Sequence, residues 1–263
     1  MPQLAEINAP AAWRTVDFIS DLHLQAREPI TFSVWQQYLQ HTPADAVFML
    51  GDLFEVWVGD DAMQADSTAS APNFEARCAD VMRTATQHLA LFFMHGNRDF
   101  LVGDTLMARC HAQLLRDPCT LVFAGQRWLL SHGDALCLDD VPYQQFRRLV
   151  RSAAWQTTFL DKPLTERQTM ARQMRQQSDA NKQTAAIFAD ADNALSRQWL
   201  QDASAHALIH GHTHQPADHV LGPAHTRVVL SDWDAAANPP RAQVLRLTAA
   251  GLQRIDLLTP AKI

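Results

Sequence analysis

Five short apolar runs, each ending in acids, histidines or glycine, constrain this chain more than any other feature. Val16-Asp17-Phe18-Ile19-Ser20 leads into Asp21-Leu22-His23, and Ala46-Val47-Phe48-Met49-Leu50 leads into Gly51-Asp52. Leu91-Phe92-Phe93-Met94 leads into His95-Gly96-Asn97-Arg98-Asp99, and Trp128-Leu129-Leu130-Ser131 into His132-Gly133-Asp134. Ala207-Leu208-Ile209 leads into His210-Gly211-His212-Thr213-His214. Near-continuous apolar runs of this length read as strands buried on both faces. Helical periods from Phe32 to Leu39 and from Phe74 to Leu89 lie between some of them. The alternation predicts an α/β architecture with its chemistry at the carboxyl ends of the strands. Thr226 to Trp233, Ala242 to Thr248 and Leu252 to Leu258 are also strand-like, follow without intervening helices, and predict a second, more antiparallel sheet.

Composition sets the outer bounds. A chain of 263 residues with 47% apolar and 19% charged residues is long enough for one large domain with an insertion, and too apolar to be disordered. A formal charge of −6 argues against a dedicated polyanion binder. Met1 to Arg14 lacks a basic cluster followed by an apolar stretch, and no apolar run is long enough to cross a bilayer. Cys78, Cys110, Cys119 and Cys137 are scattered without C-x-x-C spacing, which reads as free thiols in a reducing cytoplasm.

Residues 143–200 differ from the rest. They lack glycine and strand-like runs, are rich in Gln, Arg and Ala, and read as helices broken near Pro163. They carry a net +4 against −10 for the remainder. The expected organisation is a core of residues 1–142 and 201–263 with an inserted helical cap at 143–200. Its large apolar side chains (Trp155, Phe159, Leu160, Leu164, Met170, Met174, Ile187, Phe188, Leu195 and Trp199) would form a hairpin core, an apolar trough, or both. Arg147, Arg148 and Arg151 on one helical stretch would either be solvated or touch anionic headgroups.

The polar clusters at the strand ends form a ligand set of Asp, Asn and His without Cys, which suits a harder divalent ion such as Mn²⁺. Seven ligands are too many for one ion with an open position. Two ions about 3.5–4 Å apart sharing one carboxylate fit better, and such a pair activates water for in-line attack on phosphorus. Ser131 has no triad context and is not read as a nucleophile. His210 reads as a support beside the site, and Asp60 and Asp61 as braces.

The ordered set Asp21-Leu22-His23-Leu24, Gly51-Asp52-Leu53-Phe54-Glu55, Gly59-Asp60-Asp61, His95 to Leu101 and His210 to His214 resembles the calcineurin-like metallophosphoesterase superfamily. Within it, the Gly51–Asp61 and Asn97–Leu101 wording resembles the lipid A pathway pyrophosphatases that act on UDP-2,3-diacylglucosamine. The resemblance implies a four-layer α/β/β/α sandwich of two mixed β-sheets with an inserted helical cap. It implies that Asp21, His23 and His214 hold one metal, that Asn97, His132 and His212 hold the other, and that Asp52 bridges them. Asp52, Asn97, Arg98, His132 and His212 would be the catalytic group. Substrate contacts are implied at Asn97, Arg98, Asp140, Ser178, Asn181, Lys182 and His212, the cap Asn and Lys depending on the alignment.

The implied reaction is attack of metal-activated water on the α-phosphorus of the UDP-linked lipid, giving UMP and 2,3-diacylglucosamine 1-phosphate. It would be supported by two Mn²⁺ ions at the cytoplasmic face of the inner membrane, with no nucleic acid and no obligate protein partner. Arg98 stands where many superfamily members carry a histidine. Arginine does not donate a proton near neutral pH but grips phosphate with two prongs. That suits a phosphate-monoester leaving group, which departs as an anion. The plain alternative for Arg98 is an ion pair with Asp99. The rival functions are a phosphodiesterase or phosphatase acting on nucleotides or nucleic acid, and a metal-dependent binding scaffold.

Overall fold

The computed structural model describes residues 4–64, 72–184 and 190–259, with side chains described outside 176–184. The elements in chain order are β1 Ala5–Asn8, β2 Val16–Ile19, α1 Pro29–His41, β3 Ala46–Leu50, α2 Phe74–Ala85, β4 Ala90–Met94, α3 Asp104–Cys110, β5 Gln113–Leu115, β6 Cys119–Phe123 and β7 Gln126–Leu130. They continue with α4 Val141–Val150, α5 Ala153–Leu160, α6 Leu164–Thr184, α7 Asn193–Asp202, β8 Ala207–His210, β9 Asp218–Gly222, β10 His225–Val229, β11 Gln243–Thr248 and β12 Gly251–Asp256.

Two six-stranded mixed sheets form, in the orders β1-β6-β7-β8-β10-β9 and β12-β11-β2-β3-β4-β5. Side-chain alternation along the strands builds the layers. Val16, Phe18, Ala46, Phe48 and Leu50 meet Leu121, Trp128, Leu130 and Ile209 in the space between the sheets. The alternate residues Ile19, Val47 and Met49 face away, onto Trp35 and Leu39 of α1 and Met82 of α2. On the opposite side, Leu129 and Leu208 pack against Leu200 of α7. Helix, sheet, sheet and helix thus make four layers. The rings of Phe48 and Phe92 stack at 4.3 Å with 8° between planes at the middle of the sandwich.

The late strands do not build the second sheet expected of them. β10 pairs parallel to β8 in one sheet, whereas β11 pairs antiparallel to β2 in the other. The turn between β10 and β11 carries the chain across the sandwich. Asp17 explains part of this choice. Its buried carboxylate accepts two hydrogen bonds of 2.8 Å from Arg246 of β11 and one of 2.8 Å from Tyr38. A buried acid of this kind needs its cation beside it.

Among the described residues, helices α4 to α7 occupy the stretch between β7 and β8. Phe159 is buried in the helix-side core with Trp155, Leu164 and Met170 against it, and Leu195 and Trp199 pack on the opposite core. Ile187 and Phe188 lie outside the described residues. Arg167 is 2% exposed and holds α6 to the preceding loop through Asp61, the Val58 carbonyl and the Lys162 carbonyl. Asp60 braces its loop as expected, accepting from Trp57 Nε1, Gly103 N and Leu106 N. No helix among the described residues is long and apolar enough to cross a membrane.

Candidate metal centre

The ends of β2, β3 and β4 in one sheet meet the ends of β7 and β8 in the other, and the backbone ties them together. Asp21 N donates to the Gly51 carbonyl at 3.1 Å, His23 N to the Asp52 carbonyl at 3.0 Å, and Gly211 N to the His132 carbonyl at 2.9 Å. Asp21, His23, Asp52, His212 and His214 all have positive φ, between 50° and 67°. Such conformations cost an L residue free energy and persist only where the surroundings hold them, which is common at functional sites. Glycine makes the close approaches possible. A Cβ on Gly96 would overlap Asp52 Oδ1 and the Asp52 nitrogen, and one on Gly211 would overlap Ser20 Oγ and Asp21 Oδ2.

One half of the centre is Asp21, His23 and His214, whose ligand atoms all lie within 4.8 Å of one another. His23 Nε2 faces His214 Nε2 at 3.3 Å, and His214 Nε2 is 3.3 Å from Asp21 Oδ1. Asp21 Oδ2 is already occupied, accepting from Ser20 Oγ at 2.6 Å and His212 N at 2.9 Å. Its Oδ1 is buried and has no hydrogen-bond partner. Two imidazole nitrogens and an unsatisfied carboxylate oxygen converging on one point fit a cation.

The second half is Asn97, His132 and His212. Asn97 Oδ1 lies 3.1 Å from His132 Nε2 and 2.9 Å from His212 Nδ1. His132 Nδ1 donates to the Leu50 carbonyl at 2.9 Å, which turns Nε2 toward the centre. Asp21, Asp52 and His132 form a further group with ligand atoms within 4.8 Å. The buried carboxylates of Asp21 and Asp52 thus lie between the two sets of histidines.

Burial raises Asp52 above the ordinary carboxylate range despite His132 and Arg98 beside it. Burial opposes charge on Asp21 too, but His214, His132 and His23 outweigh it and hold the carboxyl well below that range. Burial, then His132, pushes His212 down to about 3, and burial with Arg98 depresses His23. His132 goes the other way: burial disfavours its charge, but Asp52, Asp21 and Asp134 raise it to about 9. As an imidazolium it donates from both nitrogens. A ligand nitrogen must lose that proton. With His132 as a ligand, the apparent affinity for a divalent ion such as Mn²⁺ is therefore expected to rise with pH, about tenfold per unit for each proton displaced, and the His132 contribution to level off above about pH 9. Calorimetry at pH 7, 8 and 9 in buffers of differing ionisation enthalpy measures both the slope and the proton release. A flat profile would contradict it.

Arg98 is not the partner of Asp99. Its Nη1 donates to Glu55 Oε2 at 2.6 Å and its Nε lies 3.4 Å from Asp52 Oδ2. Asp99 instead accepts backbone N–H groups from Gly96 and Leu53 at 2.8 Å, and from Asp52 and Phe54 at 3.3 Å, so it shapes the loop that carries Asp52. Glu55 went unread in the sequence as a site residue. It faces Arg98, Arg175 Nε at 3.1 Å and His23 Nδ1 at 3.7 Å. Its place five residues into the Gly51–Glu55 run was the signal available. Asp232, 3.9 Å from His214 Nδ1 and paired with Arg241, was likewise missed.

Of the remaining expected site residues, only Asp140 has a described side chain. Asp140 is exposed and caps α4, accepting Tyr143 N at 3.1 Å. Ser178, Asn181 and Lys182 fall where side chains lie outside the described residues. Arg147 and Arg151 turn inward, to Asp134 and the Gly96 carbonyl, and not outward to headgroups; Arg148 is exposed. His210 is buried beside the centre, with burial pushing it down to about 4.

Residues 14–216 match the calcineurin-like phosphoesterase family. A UDP-2,3-diacylglucosamine hydrolase of Chromobacterium violaceum is 41% identical over 251 residues, spanning 92% of this chain and 98% of that protein. One of Bordetella pertussis is 40% identical over 246 residues, spanning 91% and 93%. One of Aromatoleum aromaticum is 43% identical over 223 residues, spanning 82% and 88%. A chain that shares so much sequence along nearly its whole length, with an Asp, Asn and His cluster at the joined ends of two sheets, belongs to the calcineurin-like phosphoesterases and, within them, to the UDP-2,3-diacylglucosamine hydrolase family.

Proposed function

We propose that this chain hydrolyses the pyrophosphate bond of UDP-2,3-diacylglucosamine in lipid A biosynthesis, giving UMP and 2,3-diacylglucosamine 1-phosphate. The observation that carries the reading is the meeting of Asp21, His23, Asp52, Asn97, His132, His212 and His214 around one centre. Asp21, His23 and His214 would hold one divalent ion, Asn97, His132 and His212 a second, and Asp52 both. Mn²⁺ is the ion that suits these oxygen and nitrogen donors. When bound, the pair supplies the charge that acidifies water and neutralises phosphoryl oxygens.

The chain's own groups do the rest. In the reaction a water oxygen bonds to the α-phosphorus, the bond from that phosphorus to the bridging oxygen breaks, and a proton is released. Arg98, held between Glu55 and Asp52 and largely screened from solvent, offers its guanidinium to the diphosphate. No proton donor to the bridging oxygen is required, because a phosphate monoester with a second pKa of about 6 leaves as an anion. Asn97 and His212 would steady the same oxygens, and residues 143–200 would act as the cap that receives the acyl chains, with Asp140, Ser178, Asn181 and Lys182 as contacts. Helix α4 supports a lipid-facing role: Val141 and Leu149 are 55% and 56% exposed on its outer side, beside Arg148. The same features suit peripheral attachment to the cytoplasmic face of the inner membrane.

The test is direct. Purified protein with Mn²⁺ is expected to release UMP from UDP-2,3-diacylglucosamine, followed by chromatography of the nucleotide. Hydrolysis of simple phosphodiesters without any UMP release would refute the substrate assignment.

A further inference from the structure

Helix α4 is inverted relative to an ordinary surface helix. Its outer side carries Val141, Phe146 and Leu149, all exposed, whereas Val150 is its one fully buried residue. Its inner side is polar: Tyr143, Arg147 and Arg151 follow at intervals of four, so they share one face. Apolar burial therefore does little to hold α4 in place.

What holds it is Asp134, two residues beyond His132 and completely buried. Its Oδ2 accepts from Tyr143 Oη at 2.6 Å and from Arg147 Nε at 2.8 Å, with Arg151 Nη2 3.8 Å away. Its carbonyl accepts from Gln144 Nε2 at 2.7 Å. The same helix face reaches two other strand ends. Arg151 Nη2 donates at 2.8 Å to the carbonyl of Gly96, which precedes Asn97. The Tyr143 ring stacks on His212, with centroids 5.8 Å apart and planes at 28°. A buried carboxylate with two guanidinium groups is a poor source of stability compared with an apolar core. It does specify one depth and one rotation of the helix.

We propose that Asp134 is a positioning residue: it ties α4 to the ends of β4, β7 and β8 and so sets the entrance through which a large substrate reaches the metal centre. The proposal rests on the reading given above and deepens it. Asp134 touches neither the substrate nor the reacting atoms. Its effect on the entrance is exerted through Tyr143, Arg147 and Arg151.

The test is Asp134→Asn, which preserves shape and removes the charge, in the full chain loaded with Mn²⁺. KM for the diacylated UDP substrate is expected to rise about tenfold or more. Turnover of bis(p-nitrophenyl) phosphate at saturating Mn²⁺ should stay within about threefold of the parent. Hydrogen exchange in residues 141–151 should speed up while that of β2, β3 and β4 is unchanged. Equal loss on both substrates would overturn the proposal, because it would place Asp134 in the metal centre itself. Unchanged exchange in α4 would overturn it as well. If the parent protein cleaves the small diester but not the lipid, the function assigned above fails, while the exchange experiment still judges Asp134. Should Asp134→Asn not fold, Arg147→Gln is expected to give the same split between substrates, and its absence would count against the proposal.

Discussion

Asp52→Asn is expected to lower UMP release by at least about a thousandfold, because it removes negative charge at the point where both halves of the centre meet. Asp52 is completely enclosed, accepts the backbone N–H of Arg98 at 2.8 Å, and lies 3.8 Å from His132 Nε2. An amide keeps most of its packing volume. It cannot keep the second anionic oxygen, and the charge that holds His132 protonated in the metal-free protein declines with it. Metal content by mass spectrometry should therefore fall together with turnover, while far-UV circular dichroism stays as in the parent. Retained turnover with a full complement of metal would remove Asp52 from its assigned place.

The second large effect is expected from one methyl group. Gly96→Ala places a Cβ into Asp52 Oδ1 and the Asp52 backbone, neither of which has room to yield. Asp52 Oδ1 is anchored by Arg98 N, and Asp99 pins the backbone on both sides of the contact. Relief must come from moving β3 and β4 apart at their ends. The expected cost is about 2 kcal/mol or more, or a melting temperature lower by about 4–8 °C. Turnover should fall by about a hundredfold as the ligands lose alignment. A variant with parental melting and parental turnover would show that the ends of β3 and β4 part freely.

The architecture and the meeting of the expected ligands were legible because both rest on local pattern. Each apolar run is long enough to require burial on two faces, and each ends where the backbone turns and aims polar side chains at one rim. The partition of the late strands was not legible. Pairing of β10 with β8 and β11 with β2 is decided by distant residues, among them Arg246 seeking Asp17, which no local period reveals. Glu55 was missed for the same reason. A carboxylate gains its meaning here from two arginines that arrive from 43 and 120 residues away. The basic face of α4 misled in direction: its charges read as solvated or lipid-facing, but Asp134, buried two residues after His132, draws Arg147 and Arg151 inward. The alternative that pairs Arg98 with Asp99 fails, because the oxygens of Asp99 are filled by backbone amides.

The assembly of the centre from both sheets has a mechanical consequence. Asp21, His23, Asp52 and Asn97 move with one slab of the sandwich, and His132, His212 and His214 with the other. Between the slabs lies an apolar layer with no directional preference of its own. Sliding one slab by a single ångström would separate donor sets that belong together, so cations bridging the seam would act as rivets. Their departure would soften shear between the slabs long before either sheet lost its own hydrogen-bonded ladder.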